Sequence, residues 1–306
     1  MTANALPRGI VSLLETPFLD NGAIDCDSLL ALIEATIAAG INGLTGPLVA
    51  SEVHALTMEE REEVIERSAL AIKGRVPYIV GASSDDIAVA RHFARLAEQV
   101  GAAAYVVAVP NEFYGHEDEL LAFLRTVTEA STVPLVRQDL QWNGPGLELG
   151  TLRRLRDELP TLAGFKIETV PAGTKYTLVR DAFGPECYIA GGWAVTQLVE
   201  ALDRGVDAMI PEASLARFYS AIIGAHFRGR REEVVSLFRK LAPVLMFSNQ
   251  ELYLSIAFFK RLLHRRGILK SPCMRPPGFT WDRYNSRVAD ELIEYYEAIE
   301  GEVSRG

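Results

Sequence analysis

Residues 162–170 read LAGFKIETV, an apolar run of strand length with an ammonium group in its middle. Leu162, Ala163, Gly164, Phe165, Ile167 and Val170 give the continuous hydrophobicity expected of a parallel strand buried on both faces. Lys166 interrupts it. Only six of the 31 basic residues are lysine, the rest being arginine, so composition gives little reason for a lysine at this place.

Similar runs recur on both sides: GIVSLL (9–14), INGLTG (41–46), PYIVGA (77–82), AYVVAV (104–109), VPLVRQ (133–138), CYIAGG (187–192) and DAMIPE (207–212). Amphipathic segments fill the gaps. One begins at Thr57 with Glu60 three residues on, a capping box in which each side chain bonds the other's backbone N–H. Others close on Gly40, Gly101 and Gly205, as helices do. Eight strand–helix units predict a (β/α)8 TIM barrel within an α/β class. No G-x-G-x-x-G follows a strand, which weakens a dinucleotide-binding alternative. After the eighth run only helical patterns remain, with a proline-bearing loop at 270–279. The chain therefore divides into a barrel over 1–224 and a C-terminal three-helix extension over 225–306.

Composition narrows the function. With 49% hydrophobic and 23% charged residues the chain reads as an ordinary globular protein. A net charge of −9 argues against nucleic acid or an anionic membrane as partner. No apolar run has the length of a membrane span, and Met1 to Arg8 carry no secretory pattern, so the expected location is cytoplasmic. Cys26, Cys187 and Cys273 are odd in number and lack metal-ligand spacing.

Side chains alternate between a barrel's interior and its helix layer. With Phe165 and Ile167 on the helix side, Gly164, Lys166 and Glu168 face the axis. Catalytic groups of this fold sit at the C-terminal strand ends, where Lys166 lies. A lysine desolvated there acts as a nucleophile toward carbonyls. The competing account is a structural ion pair with Glu168 or Glu212.

The order of segments resembles the dihydrodipicolinate synthase/N-acetylneuraminate lyase superfamily of class I aldolases. TPFLDNGAIDCDSLLALIEATIAAGINGL (16–44) resembles its N-terminal signature, and SEVHALTMEERE (51–62) the segment after its G-x-T-G-E loop. GFKIET (164–169) resembles the strand bearing the Schiff-base lysine, which falls on Lys166. IAGGWAVTQLVEALDRGVDAMI (189–210) resembles the seventh strand, glycine turn and eighth strand. The resemblance implies Ala50, Ser51, Gly191, Ile210 and Glu212 as substrate-binding positions, and a homo-oligomer, dimer or tetramer.

Several positions depart from that pattern. The G-x-T-G-E loop aligns with Leu48, Val49, Ala50, Ser51 and Glu52, so both threonine hydroxyls are lost. Gln138 stands where the family has its proton-relaying tyrosine, and an amide does not transfer protons as a phenol does. The arginine of the synthase subgroup falls on Asn143. The aromatic pair expected after Pro110 becomes Asn111–Glu112, displacing Phe113 and Tyr114. Glu168 replaces a small residue, and a carboxyl against an apolar wall reaches a pKa suited to acid–base work. Glu168, or else Glu212, is therefore the candidate replacement, with an ion pair to Lys166 or Arg137 as the alternative. Arg137 is expected in a structural pair on the helix side, His54 on the surface, and Tyr114 as a relay only if its loop turns inward.

These features predict a Schiff-base-forming lyase, aldolase or dehydratase, acting on a small 2-oxo acid or related carbonyl compound, with no metal or organic cofactor. Authentic dihydrodipicolinate synthase activity is not expected. The alternative is a silenced barrel that binds a small molecule or regulates.

Overall fold

The computed structural model describes residues 5–108, 111–141, 144–192 and 195–303. Eight parallel strands close in sequence order: β1 (Gly9–Leu13), β2 (Gly43–Gly46), β3 (Tyr78–Gly81), β4 (Ala104–Ala108), β5 (Leu135–Leu140), β6 (Leu162–Glu168), β7 (Tyr188–Gly191) and β8 (Ala208–Met209). β8 pairs with β1, Gly9 opposite Ala208 and Ile10 opposite Met209, which completes the ring. Helices α1 (Cys26–Ala38), α2 (Met58–Ile72), α3 (Ile87–Gln99), α4 (Glu117–Thr128), α5 (Leu149–Glu158), α6 (Ala172–Phe183), α7 (Leu198–Asp203) and α8 (Ala216–Phe227) follow the strands. This is the (β/α)8 TIM barrel that the eight apolar runs predict.

The period of two along each strand sorts the core into two compartments. Val11, Leu13, Ile79, Val106, Val136, Ala190, Ala208 and Ile210 fill the interior. Their neighbours Ile10, Val80, Tyr105, Val107, Leu135, Phe165, Ile167 and Met209 pack against the helices. Each fully buried aliphatic or aromatic side chain of this kind contributes about 1.5–3 kcal/mol. Truncating Phe165, completely buried in the sheet–helix layer, costs about 3–5 kcal/mol.

Local chemistry sets the helix ends. Thr57 and Glu60 form the reciprocal capping box of α2 (3.2 and 3.0 Å). Asp25 accepts from the Ser28 N–H at the start of α1, and Asp86 from Ala88 and Val89 at the start of α3. Gly205, at φ +69°, turns the chain out of α7, a left-handed conformation that costs glycine nothing.

Two elements differ from the sequence expectation. β5 runs two residues beyond Gln138, because the charge of Asp139 is met by Arg137 and Lys175 behind the sheet. The helical segment that closes on Gly205 is short, running only from Leu198 to Asp203. Trp193 and Ala194 lie outside the described residues, and Val195 sits at φ +55°, a strained setting for a β-branched side chain.

Beyond α8 come α9 (Arg231–Ser248), α10 (Leu252–Arg265) and α11 (Arg283–Val303). Glu251 caps α10 by accepting from the Leu254 N–H at 2.9 Å. Arg266, at its other end, donates to the Ser214 carbonyl (3.2 Å) and to Glu300 of α11 (2.5 Å). These contacts lay α10 across the C-terminal rim of the barrel. Among the described residues no helix is long and apolar enough to cross a membrane.

Candidate active site

A cavity of about 810 Å³, its open mouth included, lies between the C-terminal strand ends and α10. Leu13 and Glu15 follow from β1, Leu48 to Ala50 from the loop after β2, and Gln138 and Leu140 from β5. β6 supplies Lys166 and Glu168, and Ile210 and Glu212 come from β8. Asn249, Glu251, Leu252, Ser255, Ile256 and Phe259 close it from the C-terminal helices. Strand register explains the grouping. Gln138 stands opposite Lys166, Leu140 opposite Glu168, and Glu212 bridges to Leu13.

Lys166 points into this cavity. Its side chain is 5% exposed, and Nζ lies 2.5 Å from Glu168 Oε2. The Gln138 amide donates to the same oxygen at 2.5 Å. The ion pair weighed in the sequence as an alternative to chemistry is therefore present, but it lines open space. The pair therefore sets a lysine side chain and a carboxylate together at the cavity wall. Gly192 makes room for the carboxylate. A Cβ there would stand 1.9 Å from Glu168 Oε1, so any larger residue would push the carboxylate out of this position.

Behind the sheet a second cluster fixes β5. Arg137 Nη1 lies 2.7 Å and Lys175 Nζ 2.5 Å from Asp139, and the Leu147 N–H donates to Asp139 at 3.1 Å. Burial opposes ionisation of Asp139, but the two cations outweigh it and hold the carboxyl below its ordinary range. Tyr114 donates to Asp139 (3.2 Å) and to the Leu140 carbonyl (3.0 Å), and does not line the cavity. Phe113 packs on Phe123. His54 is exposed, edge-on to Tyr253. Pro110 and Asn143 lie outside the described residues.

The positions carried as substrate contacts separate. Ala50, Ile210 and Glu212 line the cavity; Ser51 and Gly191 do not. The Ser51 hydroxyl donates to the Leu14 carbonyl (2.6 Å) and accepts from the Leu48 N–H (3.1 Å), so it staples the β2 loop to β1. Gly191 faces the helix layer, where its Cβ would meet the Tyr176 hydroxyl at 2.5 Å. The residue on the inner face is the next one, Gly192, because alternation from Ala190 puts the even positions inward.

Glu15 escaped the sequence reading. It is 2% exposed, and neither carboxyl oxygen makes a well-formed hydrogen bond among the described residues. Burial and the neighbouring Glu212 push its pKa up to about 8; backbone N–H groups and the Lys260 charge oppose this without cancelling it. Glu212 is 7% exposed. Burial raises it to about 7, against the pull of donors from Ser214 and Leu215. The same argument that found Glu212 applies to Glu15, a carboxylate two residues past Leu13 on the inward register of β1. Nothing local in the sequence places Asn249 or Ser255 over the barrel mouth.

Lys166 is the only cationic side chain among the described residues lining the cavity. The site thus offers one amine, a carboxyl and an amide in contact with it, two further buried carboxyls, the polar groups of Asn249, Glu251 and Ser255 on the helical side, and apolar residues elsewhere. Residues 6–295 match the profile of the dihydrodipicolinate synthetase family. An L-2-keto-3-deoxyarabonate dehydratase of Azospirillum brasilense is 30% identical over 288 residues, 90% of this chain and 91% of that protein. A 4-hydroxy-tetrahydrodipicolinate synthase of a Chelativorans species is 28% identical, with 94% and 98% covered. The crystal structure of a dihydrodipicolinate synthase from Rhodopseudomonas palustris superposes with a TM-score of 0.85 at 24% identity, covering 96% of this chain and 99% of that one. An N-acetylneuraminate lyase from Mycoplasma synoviae gives 0.82 at 18%, covering 94% and 97%. With a profile match over nearly its whole length and this barrel, the chain belongs to the dihydrodipicolinate synthetase family, whose members are class I aldolases and lyases.

Proposed function

We propose that this protein is a Schiff-base lyase acting on a small 2-oxo acid, with Lys166 as the amine that condenses with the substrate carbonyl. The observation that carries the reading is the Lys166–Glu168 contact at the wall of an open cavity. The Lys166 amine, once it has lost its proton to solvent, attacks the carbonyl carbon; the carbinolamine hydroxyl takes a proton from solvent and leaves as water, giving the cationic imine. The cationic imine then draws electrons from the neighbouring bond, so that a C3 proton or a C–C bond leaves at a low barrier. Glu168, beside Nζ, is the base for the C3 proton, and the Gln138 amide orients it. The covalent imine supplies the electrophile, so the reading calls for no metal or organic cofactor.

The synthase reaction itself is not proposed. Gln138 stands at the position of the relaying tyrosine, and Tyr114 is engaged with Asp139 behind the sheet. The likeness to a keto-deoxyarabonate dehydratase supports a hydroxylated 2-oxo acid as the substrate class. We also read α9–α11 as an extension that completes the site, and the protein as a cytoplasmic homo-oligomer.

A second reading is a silenced barrel that only binds its ligand. The three-way contact of Lys166, Glu168 and Gln138 favours it, because it holds the amine in a closed pair. One experiment separates the two. The protein is incubated with pyruvate and longer 2-oxo acids, reduced with borohydride and weighed intact. The lyase reading expects a mass gain that maps to Lys166; no gain across the panel leaves the binding reading.

A further inference from the structure

We propose that Glu15 and Glu212 together form the acid of this site, a carboxyl pair that holds one proton and delivers it to the leaving hydroxyl of the substrate, so that the reaction is elimination of water rather than C–C cleavage. The inference rests on the imine chemistry assigned to Lys166 and names the step that follows it.

The geometry comes from adjacent strands. Glu15 continues the inward register of β1 and Glu212 that of β8, and both line the cavity. β7 separates β8 from β6, so the pair occupies the arc of the rim away from Lys166 and Glu168. A substrate fixed to Lys166 extends toward it. Glu212 Oε2 accepts from the Ser214 N–H (2.5 Å), the Ser214 hydroxyl and the Leu215 N–H (3.3 Å), which orients it as the charged member. Glu212 Oε1 and both Glu15 oxygens lack a well-formed hydrogen bond among the described residues. Other charged and titratable groups face the pair. Lys260 on α10 is bound to Glu52 and to the Cys273 carbonyl (3.0 Å); Tyr219 on α8 and Tyr296 on α11 stand behind Glu212. None of these supplies a free positive charge, and two buried carboxylates side by side do not both ionise.

The step balances. Glu168 takes the C3 proton of the imine, and the C–H pair becomes the C2=C3 bond of an enamine. The nitrogen lone pair then re-forms C2=N, the C2=C3 pair shifts to C3=C4, and the C4–O bond breaks. The departing oxygen keeps that bond's electrons and takes the proton of Glu15, leaving as water. Solvent carries a proton from Glu168 back to Glu15, and hydrolysis of the imine restores Lys166. Cleavage of C3–C4 needs the opposite service, a base that removes the C4 hydroxyl proton; the donors from Ser214 and Leu215 on Glu212 weaken the charged member of the pair in that role, which leaves proton donation by Glu15 as the service assigned.

The test compares two substrates in the full-length protein: racemic 4,5-dihydroxy-2-oxopentanoate, whose hydroxyl needs a proton to leave, and 4-chloro-2-oxopentanoate, whose chloride does not. Glu15→Gln is expected to lower turnover of the hydroxy acid about 100-fold or more. It should leave chloride release within a few-fold of wild type, and borohydride trapping at Lys166 unchanged. Wild-type protein provides a check free of folding effects: hydroxy-acid turnover falls as pH rises above 7–8, whereas chloride release does not fall there. Full hydroxy-acid turnover by Glu15→Gln overturns the proposal. So does release of pyruvate and an aldehyde, or an imine that forms in wild type yet expels neither water nor chloride. Failure of trapping in wild type instead removes the Lys166 chemistry, and this proposal with it.

Discussion

Lys166 and Lys260 are both buried lysines held against a carboxylate, and only one of them borders empty space. Lys260, fully buried, contacts Glu52, donates to the Cys273 carbonyl at 3.0 Å and lies 4.4 Å from the Phe18 ring centre. Arg275 caps the other side, its N–H donating to Glu52 at 3.0 Å. Every direction around that ammonium is occupied by protein. Burial lowers the Lys260 pKa, and the Glu52 charge works against that shift. Lys166 has the same kind of partner but forms part of the cavity wall. An ion pair is thus neutral evidence about function. The vacant volume beside it marks the lysine that can meet a substrate.

The difference is tested hardest by removing each amine in turn. Lys166→Ala is expected to abolish borohydride trapping of pyruvate and to cut turnover more than about a thousandfold, with the thermal midpoint little changed. Retained trapping in that variant would move the chemistry to another residue. Glu168→Gln should keep trapping but lower turnover by about 10²–10⁴. Unchanged turnover would return Glu168 to a purely structural partner.

At the closed pair the expectation reverses. Lys260→Met leaves Glu52 buried without its cation and should cost about 3–5 kcal/mol in urea denaturation, with trapping per folded molecule preserved. Adding Glu52→Gln should recover a large part of that loss, since the unpaired charge goes with it. If the double variant is no more stable than the single one, the pair is not the source of the cost.

The smallest effect lies nearby. Arg275, which shares Glu52 with Lys260, also grips Glu60 with two contacts of 2.6 Å and holds its carboxyl down to about 2. A depressed folded-state pKa stabilises the protein above the unfolded value near 4.5, and the gain is lost as pH falls through about 2. Glu60→Gln should therefore flatten the acid limb of the urea midpoint between these pH values and leave Lys166 trapping untouched. Glu60 is partly exposed, so solvent screening keeps the change small.

Much of this was legible along the chain because it depends on local alternation. Eight apolar runs of strand length, each followed by a helical segment, have few solutions besides a closed parallel barrel. The period of two then assigns Lys166, Glu168, Gln138 and Glu212 to one face. Errors arose where the period was not followed to its end. The resemblance implies Gly191 as a substrate position, whereas the inner face carries Gly192, and Glu15 continues the register of Val11 and Leu13.

The amino-acid order alone determined the barrel, the inward lysine and the carboxyl two residues beyond it, since side-chain direction in a strand follows from position. Tertiary structure decided which polar groups share a space. Ser51 staples the loop after β2 to β1, α10 lies over the rim, and Glu15 and Glu212, from the first and last strands, line one cavity. Those outcomes depend on contacts between residues up to about 200 positions apart, and no local pattern encodes whether a buried charge ends against protein or against a cavity.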